Sequence, residues 1–185
     1  MFAQRIDDEI KLRIFDERHA AESFALVDSN REYLREYMPW VDDTRFDEDT
    51  RAFIRRSRAD MANENGFAAG IWYRGNLAGT IGVNSINRFN RKAEIGYWLG
   101  EEFQGKGIMT RCCRAVVTYL FDDQQLEKVE IHAAETNARS RAIPQRLGFV
   151  EEGTLRMLAY HDGKREGLVV YGMLADEWRA LQSRG

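Results

Sequence analysis

Three apolar segments, Gly66–Tyr73, Leu77–Val83 and Ala93–Leu99, follow one another with little chain between them. Arg74-Gly75-Asn76, between the first two, has the composition of a hairpin turn, so the three segments are expected to form an antiparallel meander. Helical periodicity surrounds them. A strand over Ile10–Asp16 leads into a helix with Ala20, Phe24 and Val27 on one face; a helical region over Glu32–Tyr37 stops before Pro39. A third helix begins near Asp47 and carries Phe53, Ile54 and Met61. After the meander, Ile108, Cys112, Ala115, Val116, Tyr119 and Leu120 make a single apolar stripe. A short strand over Lys128–Ala133 follows, then a helix from about Ser140 to Leu147 ended by Gly148. Two strands, Phe149–Leu158 and Glu166–Met173, flank a turn at Asp162-Gly163, and a helix over Asp176–Gln182 closes the chain. Helices that precede and interrupt a mostly antiparallel sheet define a mixed α/β (α+β) layer fold. With 185 residues, 44% hydrophobic content, two prolines and no repeat or linker, residues 1–185 are expected to form one domain. A chain of this size buries roughly 70% of its unfolded surface.

Several function classes fall away on composition. A net charge of −3 argues against a direct nucleic-acid binder, which concentrates a basic surplus on one face. The acidic run Asp47-Glu48-Asp49 suits the first turn of a helix; with Asp42-Asp43 it could also attract a basic peptide or polyamine. Cys112 and Cys113 are adjacent within a helical pattern, so they form neither a CxxC redox pair nor a zinc site. His19, His132 and His161 lack ligand spacing, and no metal is expected. No segment approaches the ~20 apolar residues of a membrane span, and residues 1–9 have no signal-type apolar run. A cytoplasmic location in a reducing compartment is the expectation.

The junction Glu102-Phe-Gln-Gly-Lys-Gly-Ile-Met-Thr-Arg111 sets two glycines and a lysine against a helix start. Such a junction can cradle phosphate, because the first turn leaves N–H groups unpaired and carries partial positive charge. It is not a P-loop, since Ile108 follows Gly107 where Lys is required. Nor is it a dinucleotide fingerprint, since Thr110 stands where the third glycine belongs and the preceding strands form a meander.

These residues resemble the GNAT superfamily of acyl-CoA N-acyltransferases. Its Gln/Arg-x-x-Gly-x-Gly/Ala signature is met by Gln104-Gly-Lys-Gly107-Ile-Met109, except that Met109 replaces the last small residue. Ala93–Leu99 is similar to the family's fourth strand, and Asn137–Phe149 to its second motif. With Glu152-Gly153 and Tyr37-Met-Pro-Trp40, the likeness spans nearly the whole chain and is greatest to the RimJ/RimL group, which acetylates N-terminal amines of ribosomal proteins. The resemblance implies a sheet splayed at the fourth and fifth strands and acetyl-CoA as co-substrate. Its pyrophosphate would be held by backbone amides of Gln104, Gly105, Lys106, Gly107, Ile108, Met109 and Thr110, with Met109 leaving less room. Lys106 is either an added cation or a solvated loop lysine. The pantetheine arm would lie along Tyr97, Trp98 and Leu99, with Gly96 easing the bulge that opens the strand and Asn137 bonding the arm or serving only its turn.

Aminolysis of a thioester needs a neutral amine, a polarised carbonyl and a proton for the thiolate. Strand alternation puts Glu94, Gly96 and Trp98 on one face. Glu94 is therefore the candidate base acting through water, or else a strand-end carboxylate paired with Arg91 or Lys92. A backbone N–H of Tyr97 or Trp98 would hold the carbonyl oxygen. Relatives often use a tyrosine acid where this chain has Pro144, so Ser140 is the candidate acid, or else a helix N-cap. Trp40 and Trp98 are candidates for lining the acceptor cleft, while Trp72 and Trp178 suit the core. The implied activity is direct acetyl transfer to a primary amine, most naturally a ribosomal-protein N-terminus. Two other readings stay open: a small amine as acceptor, and a non-catalytic CoA-binding sensor or interaction module. Substrate choice is expected in the loops Glu36–Phe46 and Tyr160–Arg165, and a homodimer is in keeping with related enzymes.

Overall fold

The computed structural model describes residues 3–161 and 164–183; the expected turn at Asp162-Gly163 and the side chains of Tyr160–Arg165 lie outside the described residues. In chain order the strands are β1 (Ala3–Arg5), β2 (Ile10–Ile14), β3 (Phe67–Tyr73), β4 (Asn76–Asn87), β5 (Lys92–Leu99), β6 (Lys128–Ala134), β7 (Val150–His161) and β8 (Lys164–Leu174). The helices are α1 (Ala20–Ser29), α2 (Arg31–Arg35), α3 (Asp47–Ala62), α4 (Ile108–Asp122), α5 (Ala138–Arg146) and α6 (Ala175–Gln182). The strands form one sheet in the order β1-β2-β3-β4-β5-β6-β8-β7. All neighbours are antiparallel except β5 and β6. The short β1 is an element the sequence pattern does not reveal, and it makes the strand expected as the fourth the fifth in chain order.

The meander forms as its turn chemistry requires. Arg74 and Gly75, at φ 51° and 89°, make a two-residue turn between β3 and β4, with left-handed backbone at both positions as a type I′ turn needs. β3 is apolar throughout because both of its faces are covered. Phe67, Ala69 and Ile71 join the main core with α4 and α6; Ala68 and Trp72 join a second core with Ala20 of α1 and Ile54 of α3. The acidic run Asp47-Glu48-Asp49 opens α3, where Asp49 Oδ2 accepts the N–H groups of Arg45 and Phe46 at 2.9 Å each. On α3 Ile54 is fully buried, whereas Phe53 is 39% exposed. Cys112 and Cys113 are both fully buried, and burial pushes the Cys112 thiol up to about 12 and that of Cys113 well above its ordinary value. Neither thiol is available as a nucleophile.

Two irregularities in the middle of the sheet create the site. β5 and β6 pair in register only from Lys92↔Lys128 to Ile95↔Ile131. Beyond that point Gly96–Leu99 and the end of β6 part, so the sheet splays on the side that carries the end of β5. The second irregularity is a bulge on β4 between Val83 and Ser85, opposite Ile95 and Glu94. The bulge was expected at Gly96; it is in β4, at Asn84. Gly96 has a different use, since a Cβ there would come within 2.6 Å of Asn84 Nδ2. The missing side chain makes room for Asn84.

The helical region before the site is tied to the splayed strand by Asn30. Its Oδ1 accepts the Glu101 N–H at 2.8 Å, and its Nδ2 donates to the Leu26 carbonyl at 2.9 Å. Asn30→Ala removes both of these part-buried bonds, so a loss of roughly 1–2 kcal/mol is expected, read as a fall of several degrees in Tm.

Candidate active site

Two clefts open at the splay. The first, about 880 Å³, runs from the β5 edge to the start of α4 and is lined by every residue expected to hold the coenzyme: Tyr97, Trp98, Leu99, Gln104, Gly105, Lys106, Gly107, Ile108, Met109, Thr110 and Asn137. The second, about 970 Å³, lies between the sheet and the α3 side, and Trp40 and Trp98 both line it. Tyr37, Met38, Tyr97, Trp98, Asn137 and Ser140 belong to both linings, so the clefts meet there.

The start of α4 is shaped for an anion. Gly105 and Gly107 have φ of +69° and +67°, the left-handed region that costs a β-branched residue most, and a Cβ on either would meet no protein atom within 4 Å. Gly107 caps α4 without a side chain, so the N–H groups of the first turn are left for a ligand. Met109 does not crowd this cradle: its side chain is 5% exposed and packs in the main core.

The charged residues lining the first cleft are Lys106, Arg111, Arg139 and Arg146, with no carboxylate among them. Arg111 is already paired with Asp7 at 2.6 Å. Lys106 folds back to the Glu102 carbonyl and lies over the Phe103 ring at 5.5 Å. Arg139 and Arg146 instead donate to neutral groups, Gln104 Oε1 at 2.9 Å and Thr110 Oγ1 at 3.3 Å. These two cations were missed in the sequence because arginines on a polar helix face look like solvated surface. Their spacing of seven residues on α5, two helical turns, is the signal that could have found them.

Asn137 is the N-cap of α5, its Oδ1 accepting the Ser140 N–H at 3.0 Å. Ser140 is therefore inside the first turn and is not the cap. The helix begins two residues earlier than its apolar pattern indicates, because the cap comes from a side chain that pattern ignores. Tyr97 donates its hydroxyl to the Ser140 carbonyl at 3.1 Å. Burial pushes the Tyr97 phenol well above its ordinary range, which keeps that donor protonated. Ser140, which lines both clefts, is thus held by bonds to its backbone on both sides.

Glu94 pairs with neither Arg91 nor Lys92, which bind Glu127 and Glu130 at 2.9 and 3.2 Å. Its Oε1 accepts from Asn84 Nδ2 at 2.9 Å, and its Oε2 lies 3.7 Å from His132 Nδ1. Gly96 and Trp98 of the same strand face line the second cleft; Glu94 is not among its lining residues, but its two partners Asn84 and His132 are. The β4 bulge puts Asn84 in that position, and no period-2 count reveals a bulge. Trp40 and Trp98 face each other with ring centroids 6.0 Å apart. Trp72 and Trp178, 6% and 2% exposed, are core residues as expected. Among the described residues there is no cluster of His, Cys, Asp and Glu able to hold a metal, and no helix is long and apolar enough to cross a membrane.

Comparison with known proteins agrees with this geometry. Residues 9–150 match the family described as Acetyltransferase (GNAT) domain. The chain is 38% identical over 182 residues to "Putative ribosomal N-acetyltransferase YdaF" of Bacillus subtilis (strain 168), covering 96% of this chain and 98% of that protein. It is 26% identical to the ribosomal-protein-serine acetyltransferase of Escherichia coli (strain K12), covering 93% and 96%. The solved structure of RimL, a ribosomal L7/L12 alpha-N-protein acetyltransferase in complex with coenzyme A, superposes with a TM-score of 0.91 at 26% identity, covering 95% of this chain and 99% of that one. With a splayed β5–β6 pair, a glycine cradle at the start of α4 and a family match over most of its length, this chain belongs to the GNAT family and is an N-acetyltransferase.

Proposed function

We propose that the enzyme moves an acetyl group from acetyl-CoA to the α-amine of a protein N-terminus, of the ribosomal-protein class, by direct attack within a ternary complex. The observation that carries this reading is the meeting of the two clefts at Trp98 and Ser140. A thioester entering along β5 from the first cleft and an amine entering through the second come together there, with no residue needed as a covalent carrier.

The glycine cradle and the first turn of α4 fit a pyrophosphate. Arg139 and Arg146 supply the charge for the phosphates, and Arg fits phosphate oxygens in a two-pronged manner. The splayed edge from Tyr97 to Leu99, free of β6, offers backbone groups to the pantetheine amides, with Asn137 beside them. A backbone N–H of Tyr97 or Trp98 polarises the thioester carbonyl. Glu94 serves as base for the acceptor side, acting through water, and the Ser140 hydroxyl donates to the departing thiolate.

Replacing Arg139 or Arg146 by Ala removes hydrogen bonds to a charged group, each about 1.5–3 kcal/mol. A roughly tenfold or greater loss of coenzyme A affinity is expected for each in calorimetry, against little change for Lys106→Ala. Equal losses for all three would remove the arginines from phosphate binding.

An α-amine suits this machinery because its pKa of about 7.7–8.0 makes it some three units easier to deprotonate than a lysine side chain. A second reading, a small polycationic amine, is favoured by the second cleft, which is lined by Glu36, Asp43, Asp49, Asp60 and Glu166 against Arg56. Thiol release from acetyl-CoA over a panel of N-terminal peptides, polyamines and amino sugars tests both. Highest kcat/KM on peptides supports the first reading; turnover confined to polyamines supports the second; none at all leaves only a CoA-binding module.

A further inference from the structure

We infer that His132 is the group that meets the incoming ammonium at the cleft wall, sharing its proton with Glu94, with the Glu130 carboxylate on the other side of the imidazole. This inference rests on the acetyl-transfer reading above and adds a residue and a proton route to it.

Three observations converge on His132. It lines the second cleft, which Glu94 does not. Its imidazole lies between two carboxylates, with Nδ1 3.7 Å from Glu94 Oε2 and Nε2 3.6 Å from Glu130 Oε2. And Nε2 is buried without a hydrogen-bond partner among the described residues. A histidine kept only for packing would have its polar atoms satisfied, since an unpaired buried donor costs about 1–3 kcal/mol. This one is 16% exposed and held in an expensive position.

The charges around it define its working form. Glu130 belongs to the same strand and is paired with Lys92 at 3.2 Å and Lys128 at 3.0 Å. Burial pushes the Glu130 carboxyl up, but the two lysines outweigh this and hold it below the usual carboxylate range. The Glu130 carboxylate thus puts a negative charge 3.6 Å from Nε2, on the side of the ring away from Glu94. From β5 the facing charge is Glu94, and across the sheet on β8 the register partner of His132 is the uncharged Val170. Nδ1 and Glu94 Oε2 are too far apart to bond each other directly. One amine nitrogen or one water can bond to both.

The acceptor arrives as an ammonium and gives one proton to Nδ1, which puts the positive charge between the two carboxylates. The freed lone pair forms the C–N bond at the thioester carbonyl, and the C–S bond breaks. The second proton, released from the attacking nitrogen, balances the one that Ser140 or solvent gives to the thiolate. Per turnover one proton leaves to solvent, through His132 and Glu94.

The test is the pH dependence of kcat/KM for an N-terminal peptide in wild type, His132→Gln, Glu94→Gln and the double variant, with acetyl-CoA saturating. His132→Gln is expected to lower kcat/KM by about 10²-fold near pH 7.5, where a neutral imidazole can accept a proton, within the range for removal of a general base. Coenzyme A affinity in calorimetry should stay at the wild-type value, and the double variant should be little slower than the worse single one. His132→Ala should regain activity with added imidazole. His132→Asn replaces His132→Gln if the latter does not fold, as judged by thermal melting. A wild-type profile in the folded His132 variant, or fully additive losses in the double variant, would overturn the inference while leaving acetyl transfer intact. Absence of thiol release by the wild type with every amine would instead defeat the reading on which the inference rests.

Discussion

Glu94→Gln is expected to lower kcat by about 10²–10⁴-fold at pH 6 and by much less at pH 9, the range that loss of a general base spans. The pH contrast follows from the acceptor. Below its pKa of about 7.7–8.0 an α-amine is mostly ammonium and needs a base before it can attack; above that value the free amine is already abundant. Glutamine keeps the size of the side chain and a polar partner for Asn84, which donates to Glu94 Oε1 at 2.9 Å. Stability should therefore change little, and coenzyme affinity not at all. A parallel fall across all pH values would assign Glu94 to holding the β4 bulge around Asn84 rather than to proton transfer.

Gly107→Val is expected to weaken coenzyme A binding by between ten- and a hundredfold, measured by isothermal titration, with the fold intact by circular dichroism. At φ +67° a β-branched residue is strained by about 1–3 kcal/mol, and 1.4 kcal/mol is a factor of ten in affinity. No protein atom lies within 4 Å of the added Cβ, so the cost is one of backbone conformation and of space beside the cradle, not of core packing. Gly107→Ala should show the same defect in smaller measure. Unchanged affinity in Gly107→Val would remove the start of α4 from pyrophosphate binding.

The fold was legible wherever a local signal decided it. Alternation and the Arg74-Gly75 turn give the meander, and the apolar stripe of Ile108, Cys112, Val116 and Leu120 gives α4. The glycine cradle was legible for the same reason, since its conformation is carried by Gly105 and Gly107 themselves. What could not be read depends on contacts between distant segments. The bulge at Asn84 has no residue signature, so the strand face of Glu94 predicts a wall that Asn84 and His132 occupy. His132 reads as a solitary histidine until β6 lies beside β5 and places it between Glu94 and Glu130. Arg139 and Arg146 acquire meaning only when α5 packs next to the start of α4, and Met109 loses its irregularity once its side chain is seen in the core.

The most direct measurement is intact-protein mass spectrometry of ribosomal proteins incubated with the enzyme and acetyl-CoA, followed by fragmentation to locate the label. A single acetyl increment on the N-terminal amine of a defined subset is expected, absent with Glu94→Gln at pH 6. Label on lysine side chains alone, or none on any N-terminus while polyamines in the same mixture are acetylated, would contradict it.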